Sequence, residues 1–239
     1  MRNMNKIYYC WFGRKPLPDA TKEYIKSWRS YLPTHEIVEI NETNFDINLY
    51  LYAKTAYQEQ KFAFVSDVAR IHFLQQYGGI YFDTDVELVS DFKVMEPLQS
   101  DLTLSMEYFS FEVTGVNTST IISSPQQPIW DDLLTYYRQT IFKKTDEPKT
   151  INMHINDLLE ANTAFIYKDR SQVLEYKQKK IKIVPSDILM RRGKHTVAIH
   201  HLEGSWTTDL SFSRKMRRYV GIILKKIIGR RAFKRLWEK

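Results

Sequence analysis

The sequence predicts one α/β domain followed by a basic C-terminal segment, and three observations carry that prediction. Short β-branched and aromatic runs alternate with stretches of helical periodicity. The glycine pair Gly78-Gly79 divides the longest helical stretch from an apolar run that ends on Asp83, Thr84 and Asp85. The 239 residues are 43% hydrophobic and rich in Tyr and Phe, enough to bury a sizeable core and to exclude global disorder.

The run KIYYCWF at residues 6–12 reads as a buried strand, stopped by Gly13 and the prolines at 16 and 18. A helix over residues 20–32 follows, with Tyr24, Ile25, Trp28 and Leu32 at helical spacings and Pro33 as terminator. Residues 35–40 make a second strand and complete a β-α-β start typical of nucleotide-binding folds. One long helix is expected over 53–77, with Phe62, Val65, Ala69 and Phe73 on one stripe and Gly78 as its cap. Strands follow at 80–82, 86–89, 103–106 and 120–123, the last two around a Gly/Asn/Thr/Ser loop. A helix at 129–142 and late strands at 181–184 and 196–200 complete the pattern.

A single cysteine, Cys10, permits no intramolecular disulfide and reads as a small core residue. No apolar run reaches the roughly 18 to 20 residues that cross a bilayer, so a cytoplasmic chain is expected. The net charge of +7 is uneven: residues 212–239 hold 11 Lys/Arg against one acid, Glu238, leaving 24 basic and 27 acidic residues, or −3, before them. A mildly acidic domain with a basic tail argues against general nucleic-acid binding.

Asp83 and Asp85 stand at i and i+2 on what the pattern reads as an extended segment, which would point both carboxylates to one side. Oxygen ligands so placed suit Mg²⁺ or Mn²⁺ shared with phosphates, and ligands in open α/β sheets bind where strands end. Asp67 and Arg70, at i and i+3 of a helix, share a face and can either pair or turn together toward a ligand. No Ser/His/Asp order, Walker loop or G-x-G-x-x-G accompanies them.

The segment FVSDVAR at 64–70 with GGIYFDTD at 78–85 resembles the signature of glycosyltransferase family 32, the sugar-binding region containing the D-x-D motif. It also resembles the related catalytic cores of the large clostridial glucosylating toxins. KIYYCWFG at 6–13 resembles the family's first strand and IHHLEGSW at 199–206 its closing motif, so the likeness runs from Lys6 to Trp206. It implies a GT-A type fold with a mixed, mainly parallel central sheet flanked by helices, and retaining hexosyl transfer from a UDP-sugar.

By that resemblance Trp11 stacks on uracil, Asp67 and Arg70 contact donor hydroxyls and phosphate, and Tyr81 points to the donor. Asp83 lies near ribose, sugar and metal, and Asp85 binds the metal directly. The resemblance also implies a metal-ligating imidazole three residues before Gly204, which is His201. His200 competes, because adjacent strand residues point to opposite faces. Ser205 and Trp206 match the family's Ser-Trp pair, which approaches metal and β-phosphate.

Between residues 105 and 190 the likeness thins, which leaves the acceptor open. Glu107 is a possible nucleophile there, and front-side departure needs none. Gly115, Asn117, Thr118 and Ser119 fit either a sugar pocket or a polar turn.

From Ser213 the tail alternates Arg/Lys clusters with Met216, Tyr219, Val220, Ile223 and Ile227, an amphipathic pattern with a cationic face. The division is therefore a transferase domain over 1–211 and a basic amphipathic helix over 212–239, seated on the inner face of the cell membrane. A lipid-linked oligosaccharide acceptor in capsule or surface polysaccharide synthesis fits that location. Two competing readings are a haloacid-dehalogenase-like phosphatase, which IYFDTD imitates but Glu87 departs from, and a non-catalytic peripheral membrane protein.

Overall fold

A computed structural model describes residues 5–92, 100–109, 112–143 and 149–202. Ser205, Trp206 and the whole basic tail lie outside the described residues. The elements are β1 (Lys6–Cys10), α1 (Asp19–Tyr31), β2 (Glu36–Ile40), α2 (Leu51–Gln58), α3 (Phe62–Tyr77), β3 (Gly79–Phe82), β4 (Val86–Leu88), β5 (Leu102–Phe109) and β6 (Glu112–Ser123). They continue with α4 (Pro128–Gln139), α5 (Ile151–Asn162), β7 (Gln172–Tyr176), β8 (Lys179–Val184), α6 (Ser186–Leu189) and β9 (Ala198–His200).

Seven strands form one sheet in the order β2-β1-β3-β6-β5-β8-β7, and β4 pairs with β9 in a separate ribbon. The sheet is mixed, as expected, but its parallel pairs are not a majority. β1 runs parallel to β2 and β3, and β5 to β8, while β3–β6, β5–β6 and β7–β8 are antiparallel. One face buries α2, α3, α4 and α5 through a core that includes Ala53, Val65, Val68, Trp130 and Ile155. The other buries α1 and the β4–β9 ribbon around Trp28, Phe82, Val86 and Ala198. The result is a sheet covered on both sides.

Three departures from the sequence pattern matter. The helix expected over 53–77 breaks into α2 and α3 at Glu59–Lys61, where Gln60 takes φ 54°. The turn lets Tyr52, Ala53 and Ala56 on α2 and Val65, Val68 and Ala69 on α3 all enter the core. The strands at 103–106 and 120–123 are the inner ends of a long hairpin, so Gly115, Asn117, Thr118 and Ser119 lie within β6 and not in a loop. Helix α5 and strand β7 had no counterpart in the pattern, although Ile151, Ile155 and Leu159 do recur at helical spacing.

Gly78 ends α3 as expected, with φ 64° and its N–H on the Leu74 carbonyl. A Cβ there would strike Pro125 and the Ser123 carbonyl, so only glycine lets the chain turn straight into β3. α1 positions the ribbon. Trp28 Nε1 donates to the Val86 carbonyl at 2.8 Å, and Ser27 Oγ accepts the Leu88 N–H at 2.9 Å.

Candidate active site

β1 and β3 are parallel neighbours, so Trp11 and Asp83 leave the sheet at the same edge. The acids do not sit on an extended segment. After Phe82 the chain turns at once, with the Val86 N–H on the Asp83 carbonyl at 3.0 Å, and β4 departs toward α1. A tight turn, and not strand alternation, brings the two carboxylates together. Asp83 is also fixed from the side, its N–H donating to the Ser119 carbonyl of β6 at 2.8 Å.

The histidine beside them is His200, not His201. Ligand atoms of Asp83, Asp85 and His200 all lie within 4.8 Å of one another, and His200 Nε2 is 3.2 Å from Asp85 Oδ1. β9 runs antiparallel to β4 with His200 opposite Val86, which carries His200 to the turn. The next residue faces away. His201 Nε2 meets Glu87 Oε2 at 2.9 Å, and its ring stacks on Tyr24 of α1 at 4.7 Å. Burial opposes the imidazolium of His200, but the hydrogen bond and charge of Asp85, with Asp83 and Glu107 farther off, raise its pKa above the ordinary value.

Two carboxylates and one imidazole are a donor set that fits a divalent cation, Mn²⁺ better than Mg²⁺ because of the nitrogen. His200 Nδ1 is buried without a hydrogen-bond partner among the described residues. The fit is therefore of chemistry as well as of distance.

Behind the turn lies a buried ion network. Arg70 Nη2 is 3.0 Å from Asp67 Oδ1, and Nη1 is 3.1 Å from Asp83 Oδ1 and from the Thr118 carbonyl. Nε reaches the Ser66 carbonyl at 3.4 Å. Four contacts thus occupy a group with five N–H donors, and Asp67 and Arg70 are 8% and 6% exposed. Of the two arrangements open to an i,i+3 pair, the structure adopts the internal one. Arg70 bridges both acids, so its first task is to hold Asp83.

Tyr81 likewise points inward. It is 1% exposed, lies under the Arg70 guanidinium at 4.5 Å and donates its hydroxyl to Asp83 Oδ1 at 2.9 Å. Trp11 is half-buried at the end of β1, with Nε1 on the Lys15 carbonyl at 2.6 Å. Cys10 is a core thiol, as expected, pushed up to about 12 by burial.

Burial pushes the Asp67 carboxyl up to about 6 from an ordinary 3.8. The Arg70 charge opposes that shift, while the negative charge of Asp83 adds to it. The folded state therefore favours the protonated form, and this group's contribution to stability is lost as pH rises from about 4 through 6. Relative to Asp67→Asn, the wild-type chain is expected to lose about 2–3 kcal/mol between pH 4 and 7. Urea unfolding of both chains in chelator across that range checks it. A constant difference would mean that Asp67 stays ionised throughout.

Sequence reasoning missed Asn152 and Asn156 of α5, which reach into the β5–β6 hairpin beside the site. The apolar spacing of Ile151, Ile155 and Leu159 was the signal that could have found the helix.

Residues 18–104 match the family model described as glycosyltransferase sugar-binding region containing DXD motif. Comparison with curated proteins gives no match. Among solved structures, PaToxG glycosyltransferase is similar with a TM-score of 0.51 at 17% identity, over 66% of this chain and 68% of that one, a likeness of fold. The glycosyltransferase GlyE of Streptococcus pneumoniae is matched with a TM-score of 0.43 at 11% identity, over 66% of this chain and 43% of that one. The matched segment holds Asp67, Arg70, Asp83 and Asp85 at the sheet edge just described, so residues 18–104 are similar to the DXD-containing sugar-binding region of glycosyltransferases.

Proposed function

We propose that the chain is a metal-dependent, retaining hexosyltransferase that moves a sugar from a UDP-sugar to a glycan acceptor. The observation that supports this reading is the convergence of Asp83, Asp85 and His200 at the sheet edge, braced from within by Arg70. A divalent cation bound there would act as a Lewis acid on the leaving diphosphate, worth several kcal/mol by general precedent. Asp85 and His200 would hold that cation. Asp83, held by Arg70 and Tyr81, keeps its free oxygen for the cation and for ribose or sugar hydroxyls.

Trp11 offers a ring face to the base at the neighbouring strand end. Ser205 and Trp206, outside the described residues, take the roles at metal and β-phosphate that the resemblance assigns them. In the transfer the bond from the sugar's anomeric carbon to the diphosphate breaks, and a bond to the acceptor oxygen forms on the same face. The acceptor's proton passes to a departing phosphate oxygen, so no protein nucleophile is needed.

Among the described residues no helix is long and apolar enough to cross a membrane. The basic segment 213–239 would hold the enzyme at an anionic leaflet, at about 1 kcal/mol per engaged Lys or Arg. There it would meet a lipid-linked acceptor in capsule or surface polysaccharide synthesis.

The experiment is hydrolysis of UDP-glucose, UDP-galactose and UDP-N-acetylglucosamine with and without Mn²⁺, repeated with anionic vesicles that are then pelleted. Turnover of one donor that stops on chelation is expected, as is co-sedimentation that is lost when residues 213–239 are removed. Cleavage of a simple phosphoester without any nucleotide sugar would contradict the first expectation. Unchanged sedimentation of the shortened chain would contradict the second.

A further inference from the structure

Glu107 makes no contact with the Arg70 ion network, yet the hairpin is distorted where it stands. β5 carries a register irregularity between Glu107 and Tyr108, a kind of bulge that re-aims a strand side chain. Its register partner on β6 is Gly115, at φ 136°, where a Cβ would collide with the Asn156 side chain. The missing side chain lets α5 close onto the bulge, with the Val116 N–H on Asn156 Oδ1 at 2.9 Å.

Two neutral donors then fix the carboxylate. Asn152 Nδ2 donates to Glu107 Oε1 at 3.1 Å, and Thr114 Oγ1 donates to Oε2 at 2.7 Å. The amide of Asn152 is itself held, because its Oδ1 accepts from Thr118 Oγ1 at 2.6 Å. The Thr118 carbonyl is the one that Arg70 grips, so Glu107 is joined through three hydrogen bonds, by way of Asn152 and Thr118, to the guanidinium that holds Asp83.

On the other side Met190 links Glu107's neighbour to the metal cluster. Its sulfur accepts the Tyr108 N–H at 3.3 Å and its carbonyl the His200 N–H at 2.8 Å.

Among the described residues the contacts to the Glu107 carboxylate come from neutral donors and not from a cation. Asn152 and Thr114 use two of about four acceptor positions on an ionised carboxylate. The chemistry that takes up the remainder at a sugar site is a hydroxyl donor, in a charge-assisted hydrogen bond.

We propose that Glu107 accepts a hydrogen bond from a hydroxyl of the transferred sugar, and that Asn152 is the positioning residue that holds it there. This rests on the glycosyl-transfer reading above. It assigns a sugar-recognising carboxylate to the stretch of sequence where the family likeness is thinnest.

The test uses the full chain with Mn²⁺ and whichever of UDP-glucose, UDP-galactose and UDP-N-acetylglucosamine it hydrolyses. Glu107→Gln keeps the shape and the contacts to neutral donors but weakens the acceptor. It is expected to lower kcat/KM for donor hydrolysis at least tenfold and to leave the calorimetric Kd for UDP within twofold. Asn152→Ala should lower the same kcat/KM by a smaller factor with the same unchanged UDP affinity.

Hydrolysis within twofold of wild type in the Glu107→Gln chain would overturn the proposal. A loss seen only in transfer to octyl hexosides would also overturn it, moving the carboxylate to the acceptor. A wild-type chain that binds no UDP with Mn²⁺ would instead remove the underlying reading, so the two failures are distinguishable.

Discussion

Replacing Arg70 with methionine is expected to destabilise the fold by about 3–5 kcal/mol, the cost of removing one partner from a buried ion network. The side chains of Arg70 and Asp67 are only 7% and 11% exposed, and Asp83 lies at the inner edge of the site. Without the guanidinium, Asp67 and Asp83 confront one another with no cation between them, and the Thr118 carbonyl loses its donor. Methionine fills much of the volume, so the loss reports electrostatics more than a cavity.

Arg70→Lys should recover only part of the loss, because one ammonium on a flexible stem cannot reproduce a fork spread over Asp67, Asp83 and Thr118. Urea unfolding at pH 7 measures both variants. The deficit of Arg70→Met should shrink toward pH 5, where Asp67 takes up a proton and becomes neutral. A loss below about 1 kcal/mol at pH 7 would mean that water, and not Arg70, balances these acids.

Asp85→Ala is expected to lower donor hydrolysis by about a thousandfold or more. That factor corresponds to about 4 kcal/mol of transition-state stabilisation, the scale a bound cation supplies. The same variant should abolish the Mn²⁺ dependence of UDP binding.

The two adjacent histidines make the sharper half of this prediction. His200→Ala should raise the Mn²⁺ concentration needed for half-maximal rate by at least tenfold. His201→Ala should leave it within about threefold, because that imidazole is held by Glu87 and Tyr24 away from the cluster. A Mn²⁺ titration of the hydrolysis rate decides between them, and the reverse order would overturn the assignment of the inner face of β9.

Much of this architecture can be read from the residues in order. The β-α-β start, the glycine cap at Gly78 and the placing of Asp83 where a strand ends all depend on local preference. Apolar spacing, glycine's access to positive φ and strand-end geometry are properties of a few consecutive residues. The pairing of Asp67 with Arg70 was also open to sequence, since i,i+3 residues share a helix face, but not its outcome. That Arg70 turns inward, takes Asp83 as well and leaves Tyr81 beneath it depends on β6, which is distant in sequence, pairing with β3 and bringing the Thr118 carbonyl to the guanidinium.

The sequence by itself determined the alternation of strands and helices, the position of the acidic pair and the residue types available for metal and sugar. Only the tertiary structure decided which of them meet. His200 and His201 are indistinguishable in composition and differ only in face, and the face is set by the antiparallel register of β9 on β4. The D-x-D carboxylates converge through a turn closed by a backbone hydrogen bond, where the pattern alone indicated strand alternation. Glu107 acquires its surroundings from a bulge, from Gly115 and from a helix packed across the hairpin. Register, bulges and helix docking are settled by burial and hydrogen bonding between segments far apart in the chain, and no local pattern encodes them.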